Sequence, residues 1–309
     1  PVDINSSPFF GMYAGISLKL GSVVIIVSFV KKCSFYQKLP KIAMIFFILI
    51  QLNLLNMELK AIIFDVDGTL ANTEHDGHLK AFNEAFYFFG LDWHWDSELY
   101  GDLLSVSGGK ERLAHFIKKY NPKLNNDLTK EDIAMIHRKK TDIFISKISD
   151  GFISLRIGVE RLINDALDNN LRLAIATTTS YENVKAILVA ALGVNALDSF
   201  EIIAAGDVVK NKKPSPEIYN YVLEKMKLNA SECVAIEDSV IGFNSSAAAG
   251  LKTLVTLSEY TKTKNFEGAL VVLDHLGEKD QPFQIINGTQ TGHSMVSVDY
   301  IKELYECTR

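Results

Sequence analysis

Ala61-Ile62-Ile63-Phe64-Asp65-Val66-Asp67-Gly68-Thr69-Leu70 is the stretch that decides how this chain is read. Its first four residues are an unbroken apolar run, which suits a short strand buried on both faces. The run stops at Asp65, and a second carboxylate follows at Asp67. Two carboxylates at a strand end both project toward a ligand, and Gly68 permits the tight turn that follows. Close carboxylates repel unless a cation or a shared proton relieves them. The usual relief is Mg²⁺, which takes oxygen ligands and keeps several waters. Asp65 can then attack phosphorus as a nucleophile, and Asp67 can pass protons as acid and base. The alternative is an Asp-rich turn without chemistry; a DxDGT string directly after an apolar strand weighs against it.

Five further apolar runs follow: Leu171 to Ala176, Glu201 to Ala205, Cys233 to Ile236, Thr253 to Thr256, and Ala269 to Leu273. Amphipathic patterns separate them, over Val159 to Asn169, Glu182 to Leu192, Pro216 to Met226 and Ile241 to Ala249. Strands alternating with helices imply a parallel sheet with right-handed crossovers. Ligands of such sheets sit at the carboxyl ends of the strands. One stretch breaks the alternation. Residues 73–150 contain no convincing buried strand and read as helices over Gly77–Phe89, Ser97–Leu104, Lys110–Tyr120 and Lys130–Ile148. An all-helical block after the first strand predicts a second domain, a lid on the sheet. Trp93 and Trp95 within it are expected to pack rather than to stack on substrate.

Polar residues stand at the other strand ends. Thr177-Thr178-Thr179-Ser180 closes the second run. Hydroxyls and free backbone N–H groups ahead of a helix suit phosphate binding, although they equally suit an N-cap. Lys213 precedes Pro214 after the third run, and a fixed lysine can neutralise both a transferring phosphoryl group and an attacking carboxylate. Lys210 and Lys212 lie close by, so spacing alone does not choose among the three. Glu237-Asp238-Ser239 ends the fourth run; a carboxylate there completes an oxygen shell for Mg²⁺ or caps the next helix.

Taken together, nucleophile, hydroxyl, lysine and metal carboxylate on successive strands resemble the haloacid-dehalogenase superfamily. The fold this implies is α/β: a Rossmann-like parallel-sheet core, with an α-helical cap inserted between the first and second motifs. Finer strings are similar to the CbbY-type subfamily: Asp65 to Glu74, Leu91 to Asp96, Gly108 to Arg112, Ile136 to Thr141, Ala205-Gly206-Asp207 and Asp274 to Glu278. That subfamily includes phosphatases of xylulose 1,5-bisphosphate, a misfire product that inhibits Rubisco. The resemblance implies Asp65 as nucleophile and Mg²⁺ ligand. It implies Asp67 as acid/base and as donor of a backbone carbonyl to the metal, and Asp238 as a further ligand. Thr177 and Lys213 would hold the transferring phosphoryl group. Substrate would meet Glu74, the loop Gly108, Gly109, Lys110, Glu111 and Arg112, the stretch His137, Arg138, Lys139 and Lys140, and Thr178, Thr179, Ser180 and Asn183. Many relatives carry a histidine where this chain has Gly77, so either His75 or His78 faces the substrate. Arg156-Ile157-Gly158 stands where relatives often have Arg-Pro-Gly. The same motifs also serve phosphomutases like β-phosphoglucomutase, which return the phosphoryl group to sugar. The basic cap segments favour a bisphosphate phosphatase, because a second phosphate needs its own cations and arginine binds it bidentately.

The rest of the chain agrees with this reading. Its 309 residues allow about two domains at roughly 150 residues each. With 48% apolar and 22% charged residues it is neither disordered nor collagen-like. Three cysteines without a CxxC spacing argue against structural zinc and fit a reducing compartment. The acidic balance gives no support for nucleic-acid binding. The charge is uneven: residues 1–56 carry +4, which leaves −9 on the remainder of a chain of net −5. Those first residues are apolar and slightly basic, with an Ile42–Ile50 run too short for the about 20 residues of a membrane span. They are expected to be an extension foreign to the enzyme that starts at Met57, or else a membrane tether. The core is expected at 57–72 and 151–309, and the cap at 73–150. The expected partner is a small phosphorylated sugar, handled by a cytoplasmic monomer.

Overall fold

In a computed structural model of the chain, residues 58–120, 128–151, 153–290 and 292–307 are described. The expectation for residues 1–56 lies outside them. The opening run forms β1 (Ala61–Phe64). It is followed by β2 (Arg172–Ala176), β3 (Ile202–Ala204), β4 (Cys233–Glu237), β5 (Lys252–Thr256), β6 (Val271–Leu273) and β7 (Ile285–Asn287). They make one sheet in the order β3-β2-β1-β4-β5-β6-β7. The first six strands run parallel, as the alternation predicts. The seventh, which the sequence reading did not include, pairs antiparallel with β6.

The pleat sorts side chains onto two faces. Ile62 and Phe64 of β1, Leu173 and Ile175 of β2, and Val234 and Ile236 of β4 join one hydrophobic cluster. It also takes in α5 (Val159–Asp168), α6 (Tyr181–Leu192) and α9 (Val298–Cys307). Apart from Ile63, the strands bury small residues on the opposite face: Ala61, Ala174, Ala176, Ala204, Cys233 and Ala235. Against them lies α7 (Glu217–Met226), contributing Ile218, Tyr219, Val222, Leu223 and Met226. A row of alanines suits a helix face carrying larger side chains, because packing has to fill the space between the layers. The crossover from β4 to β5 is α8 (Val240–Ala248).

Between β1 and α5 the chain is helical, as predicted. A single π-helical turn, Glu74–Leu79, leads into α1 (Lys80–Phe88). Then come α2 (Ser97–Leu103), α3 (Gly109–Tyr120) and α4 (Lys130–Ser149), the last opened by a Thr129/Asp132 capping box. The block has its own cluster of Phe82, Phe86, Trp93, Trp95, Tyr100, Leu113, Phe116 and Ile136. Both tryptophans are buried there, and Asn83 clasps the Trp95 backbone with two 2.8 Å hydrogen bonds. Leu59–Arg309 forms one compact unit, so the helical block is packed onto the sheet. Among the described residues no helix is long and apolar enough to cross a membrane.

Candidate active site

The carboxyl ends of β1, β2 and β4 meet the loop after β3 beneath the helical block. Asp65 continues the ladder by donating its N–H to the Ile236 carbonyl at 3.0 Å. Its carboxylate is therefore carried to the strand end by the sheet itself. The chain then turns at Gly68 with φ +83°, and a Cβ at that position would overlap the Asp238 carboxylate. The turn and the close approach both call for glycine.

Lys213 lies between two acids. Its Nζ donates to Asp65 Oδ1 and to Glu237 Oε1, both at 2.6 Å, and Tyr219 donates to the same Glu237 oxygen at 2.5 Å. All four residues are buried. Burial draws the Lys213 pKa down, but the charges of Asp65 and Glu237 outweigh it and hold the ammonium above its ordinary value. Burial pushes Asp65 well up; Lys213 opposes this, while Glu237 and Asp238 add to it. Asp238 rises to about 7, through burial and then Glu237, against a hydrogen bond from Ser258 and the charge of Arg156. Asp65, Glu237 and Asp238 each bring a carboxylate oxygen within 4.8 Å of the others. Such crowded hard oxygen donors, with Asp65 and Asp238 both raised, fit a divalent cation of the Mg²⁺ class. Of the three, Glu237 is already engaged by Lys213 and Tyr219.

The Asp67 side chain stands apart from this acidic group. Its Oδ1 accepts from Thr73 Oγ1 at 2.6 Å and from His78 Nε2 at 2.9 Å. The other histidine nitrogen, Nδ1, is 2.7 Å from Lys140 Nζ. An ammonium can only donate, so Nδ1 accepts and the ring proton resides on Nε2. The ring stacks on Phe144 at 4.0 Å. Burial pushes Asp67 up, but His78, Thr73 and Lys140 together hold it well below the usual carboxylate range. Burial lowers Lys140 to about 8 in spite of Asp67 and Glu74. Of the two histidines, His78 lines the cavity, while His75 bonds its neighbour Asp76 at the surface.

A cavity of about 810 Å³ opens above these groups. It is lined by Glu74, His78, Gly108 to Arg112, His137, Arg138, Lys140, Thr177 to Ser180 and Asn183, together with Asp65, Asp67, Lys213 and Asp238. Lys139 does not join them; its ammonium lies over the Phe88 ring at 4.0 Å. A lysine beside an aromatic on a helix flank gains cation–π contact there, which the charge pattern alone does not reveal. The Thr177–Ser180 alternatives both hold in part. Ser180 caps α6 by accepting from Asn183 N, whereas Thr177 Oγ1 accepts from Thr179 N at 3.3 Å beside the cavity. At the rim, Lys110 and Lys212 both pair with Asp207, at 2.5 and 2.7 Å.

Some participants have no role that the sequence motifs assign. Glu237 stood inside a quoted string but only Asp238 was given a role; a lysine needing two buried counter-charges is the signal that could have found it. Tyr219, Ser258 and Arg156 act through contacts no local motif encodes. Arg156 donates to the carbonyls of Gly68, Leu257 at 2.6 Å and Asp274 at 2.9 Å, tying the Asp67–Gly68 turn to the loops after β5 and β6.

Comparisons with known proteins agree with the geometry. A family model described as haloacid dehalogenase-like hydrolase matches residues 59–250. The plasmid-borne CbbY protein of Cupriavidus necator is 46% identical over 225 residues, covering 72% of this chain and 88% of that one. A CBBY-like protein of Arabidopsis thaliana is 40% identical, covering 71% and 69%. The crystal structure of an Asp-to-Asn mutant of CbbY from Rhodobacter sphaeroides in complex with xylulose 1,5-bisphosphate superposes with a TM-score of 0.66 at 44% identity, over 70% of this chain and 94% of the other. A β-phosphoglucomutase from Clostridium difficile shares the fold at TM-score 0.60 and 21% identity, over 81% and 98%.

Proposed function

The chain belongs to the haloacid dehalogenase-like hydrolases, and from that premise we propose that it is a Mg²⁺-dependent phosphatase of a small phosphorylated sugar, with xylulose 1,5-bisphosphate as the best fit. The observation that carries this reading is one cavity lined both by Asp65 with its Lys213 partner and by the cationic side chains Lys110, Arg112, Arg138 and Lys140. Its volume suits a small ligand, for which roughly 300–1,000 Å³ is usual.

In this reading Asp65 and Asp238 hold the ion with the Asp67 backbone carbonyl, and the bound ion supplies charge neutralisation of the phosphoryl oxygens. Asp65 attacks phosphorus, the bond to the leaving oxygen breaks, and an aspartyl-phosphate forms. Lys213 and Thr177 hold the transferring group. Asp67 gives the leaving oxygen its proton, which reaches Oδ1 from His78 Nε2 while Lys140 resupplies Nδ1. Asp67 then takes a proton from water, which opens the aspartyl-phosphate and releases phosphate. Residues 73–150 act as the cap that excludes bulk water, over a core of 57–72 and 151–309.

Phosphate release from a panel of sugar mono- and bisphosphates, with product analysis, tests the proposal. Xylulose 1,5-bisphosphate should be turned over best, yielding free phosphate, and Asp65→Asn should abolish turnover with the fold intact. Phosphoryl transfer to sugar, or Mg²⁺-dependent activity persisting in Asp65→Asn, would count against it.

A further inference from the structure

Tyr100 is fully buried in α2 and does not line the cavity, yet it joins two residues that do. Its hydroxyl donates to Glu74 Oε2 at 2.5 Å and accepts from Arg112 Nη1 at 3.0 Å. Arg112 also donates Nε to the Leu103 carbonyl at 3.3 Å. The guanidinium and the carboxylate are 4.0 Å apart, beyond hydrogen-bond length. Left to themselves in a buried setting, these opposite charges would close into a direct fork-to-carboxylate pair. The phenol occupies the space such a pair would need. The ring beneath is fixed by packing: Trp95 lies 6.0 Å away, Tyr260 meets it edge-on at 5.8 Å, and the guanidinium lies over its face at 5.3 Å.

We propose that Tyr100 is a positioning residue whose hydroxyl spaces Arg112 from Glu74, keeping the guanidinium available to an anionic substituent of the substrate remote from the transferring phosphate and the carboxylate available to its hydroxyls. This rests on the sugar-phosphate reading above and adds a residue to it. Without the hydroxyl, Arg112 and Glu74 neutralise each other and recognition of the remote group fails, while the chemistry at Asp65 continues. The prediction is therefore a split between binding and turnover.

Tyr100→Phe removes the oxygen alone and keeps the ring contacts. KM for xylulose 1,5-bisphosphate should rise about tenfold, as for the loss of one charge-assisted hydrogen bond, with kcat within about twofold. Activity on p-nitrophenyl phosphate, which has no remote phosphate, should be unchanged. In an Arg112→Lys background, which has no fork to misplace, adding Tyr100→Phe should alter KM by less than about twofold, the mark of coupled residues. An unchanged KM, an equal loss on both substrates, or a full effect in the Arg112→Lys background would overturn the proposal. A crystal structure of Tyr100→Phe reads the spacing independently of substrate: Arg112 and Glu74 should close from 4.0 Å to hydrogen-bond distance, and a separation that stays open refutes the spacer role even if the sugar assignment stands. Wild-type protein that hydrolyses p-nitrophenyl phosphate but no sugar bisphosphate would sink the substrate reading instead, and the variant structure would still decide the spacer.

Discussion

Lys213→Met isolates the central electrostatic element of the site. Methionine keeps the length of the side chain and removes the charge that lies 2.6 Å from both Asp65 and Glu237. Both acids are buried, so water cannot replace the lost partner. Removing one member of a buried pair typically costs about 3–5 kcal/mol, and the same range is expected here near pH 8, because the two contacts share one ammonium. The deficit should shrink in acid. Asp65 is already raised above its ordinary value, and Lys213 is the group that lowers it; losing it moves the folded-state pKa still higher. A folded pKa above the unfolded one gives stability that is present in acid and lost as pH rises through the folded value. The variant should therefore come nearest to wild type toward about pH 4 and fall progressively further behind as pH rises. Urea unfolding of metal-free protein, followed by circular dichroism and extrapolated linearly to water, measures the difference. A deficit below about 1 kcal/mol at pH 8, or one larger at pH 5 than at pH 8, would refute the reasoning.

Metal removal should give a related pH dependence. Asp238 rises from 3.8 to about 7 in the folded protein, so metal-free stability should fall by about 4 kcal/mol as pH climbs from about 4 through 7, at 1.36 kcal/mol per unit. Mg²⁺ should then raise the melting temperature more at pH 8 than at pH 5.5 in differential scanning fluorimetry; equal shifts would contradict a carboxylate metal site. His78→Phe keeps a ring against Phe144 but removes both the main partner that lowers Asp67 and the proton relay to it, so kcat should fall at neutral pH; wild-type kcat would exclude His78 as the source of that proton. Gly68→Ala forces a side chain into φ +83° and against Asp238. It should cost about 1–3 kcal/mol in backbone strain and lower kcat by about 10²-fold through displacement of that carboxylate; wild-type kcat would remove Asp238 from the site.

The strands were legible because burial on both faces writes an uninterrupted apolar run, as in Ile62-Ile63-Phe64 or Val234-Ala235-Ile236. The strand ends were legible because polar residues interrupt such runs abruptly. β7 was missed for the converse reason: Ile285 is only partly buried, Ile286 and Asn287 are exposed, and an edge strand that short leaves no apolar run. The helical block was legible as helices but not in its first turn. Glu74–Leu79 winds as a π-turn, a local departure common at functional sites, and it brings His78 rather than His75 to Asp67. Residues that act through others left the least trace. Tyr100, Tyr219 and Arg156 carry no local signature, because the roles they play are set by partners in other elements.

β1 lies in the middle of the sheet, and its neighbours come from residues 172–176 and 233–237. The nucleophile-bearing strand is thus bracketed by segments more than a hundred residues downstream. Such long-range parallel pairing forms late and slowly. A chain folded only through its first half would carry Asp65 and Asp67 without Thr177, Lys213 or Asp238, and so would present carboxylates with nothing to hold a phosphate or an ion. Hydrolysis should therefore appear only when the last of these strands docks, which makes turnover itself a stringent clock for the completion of folding.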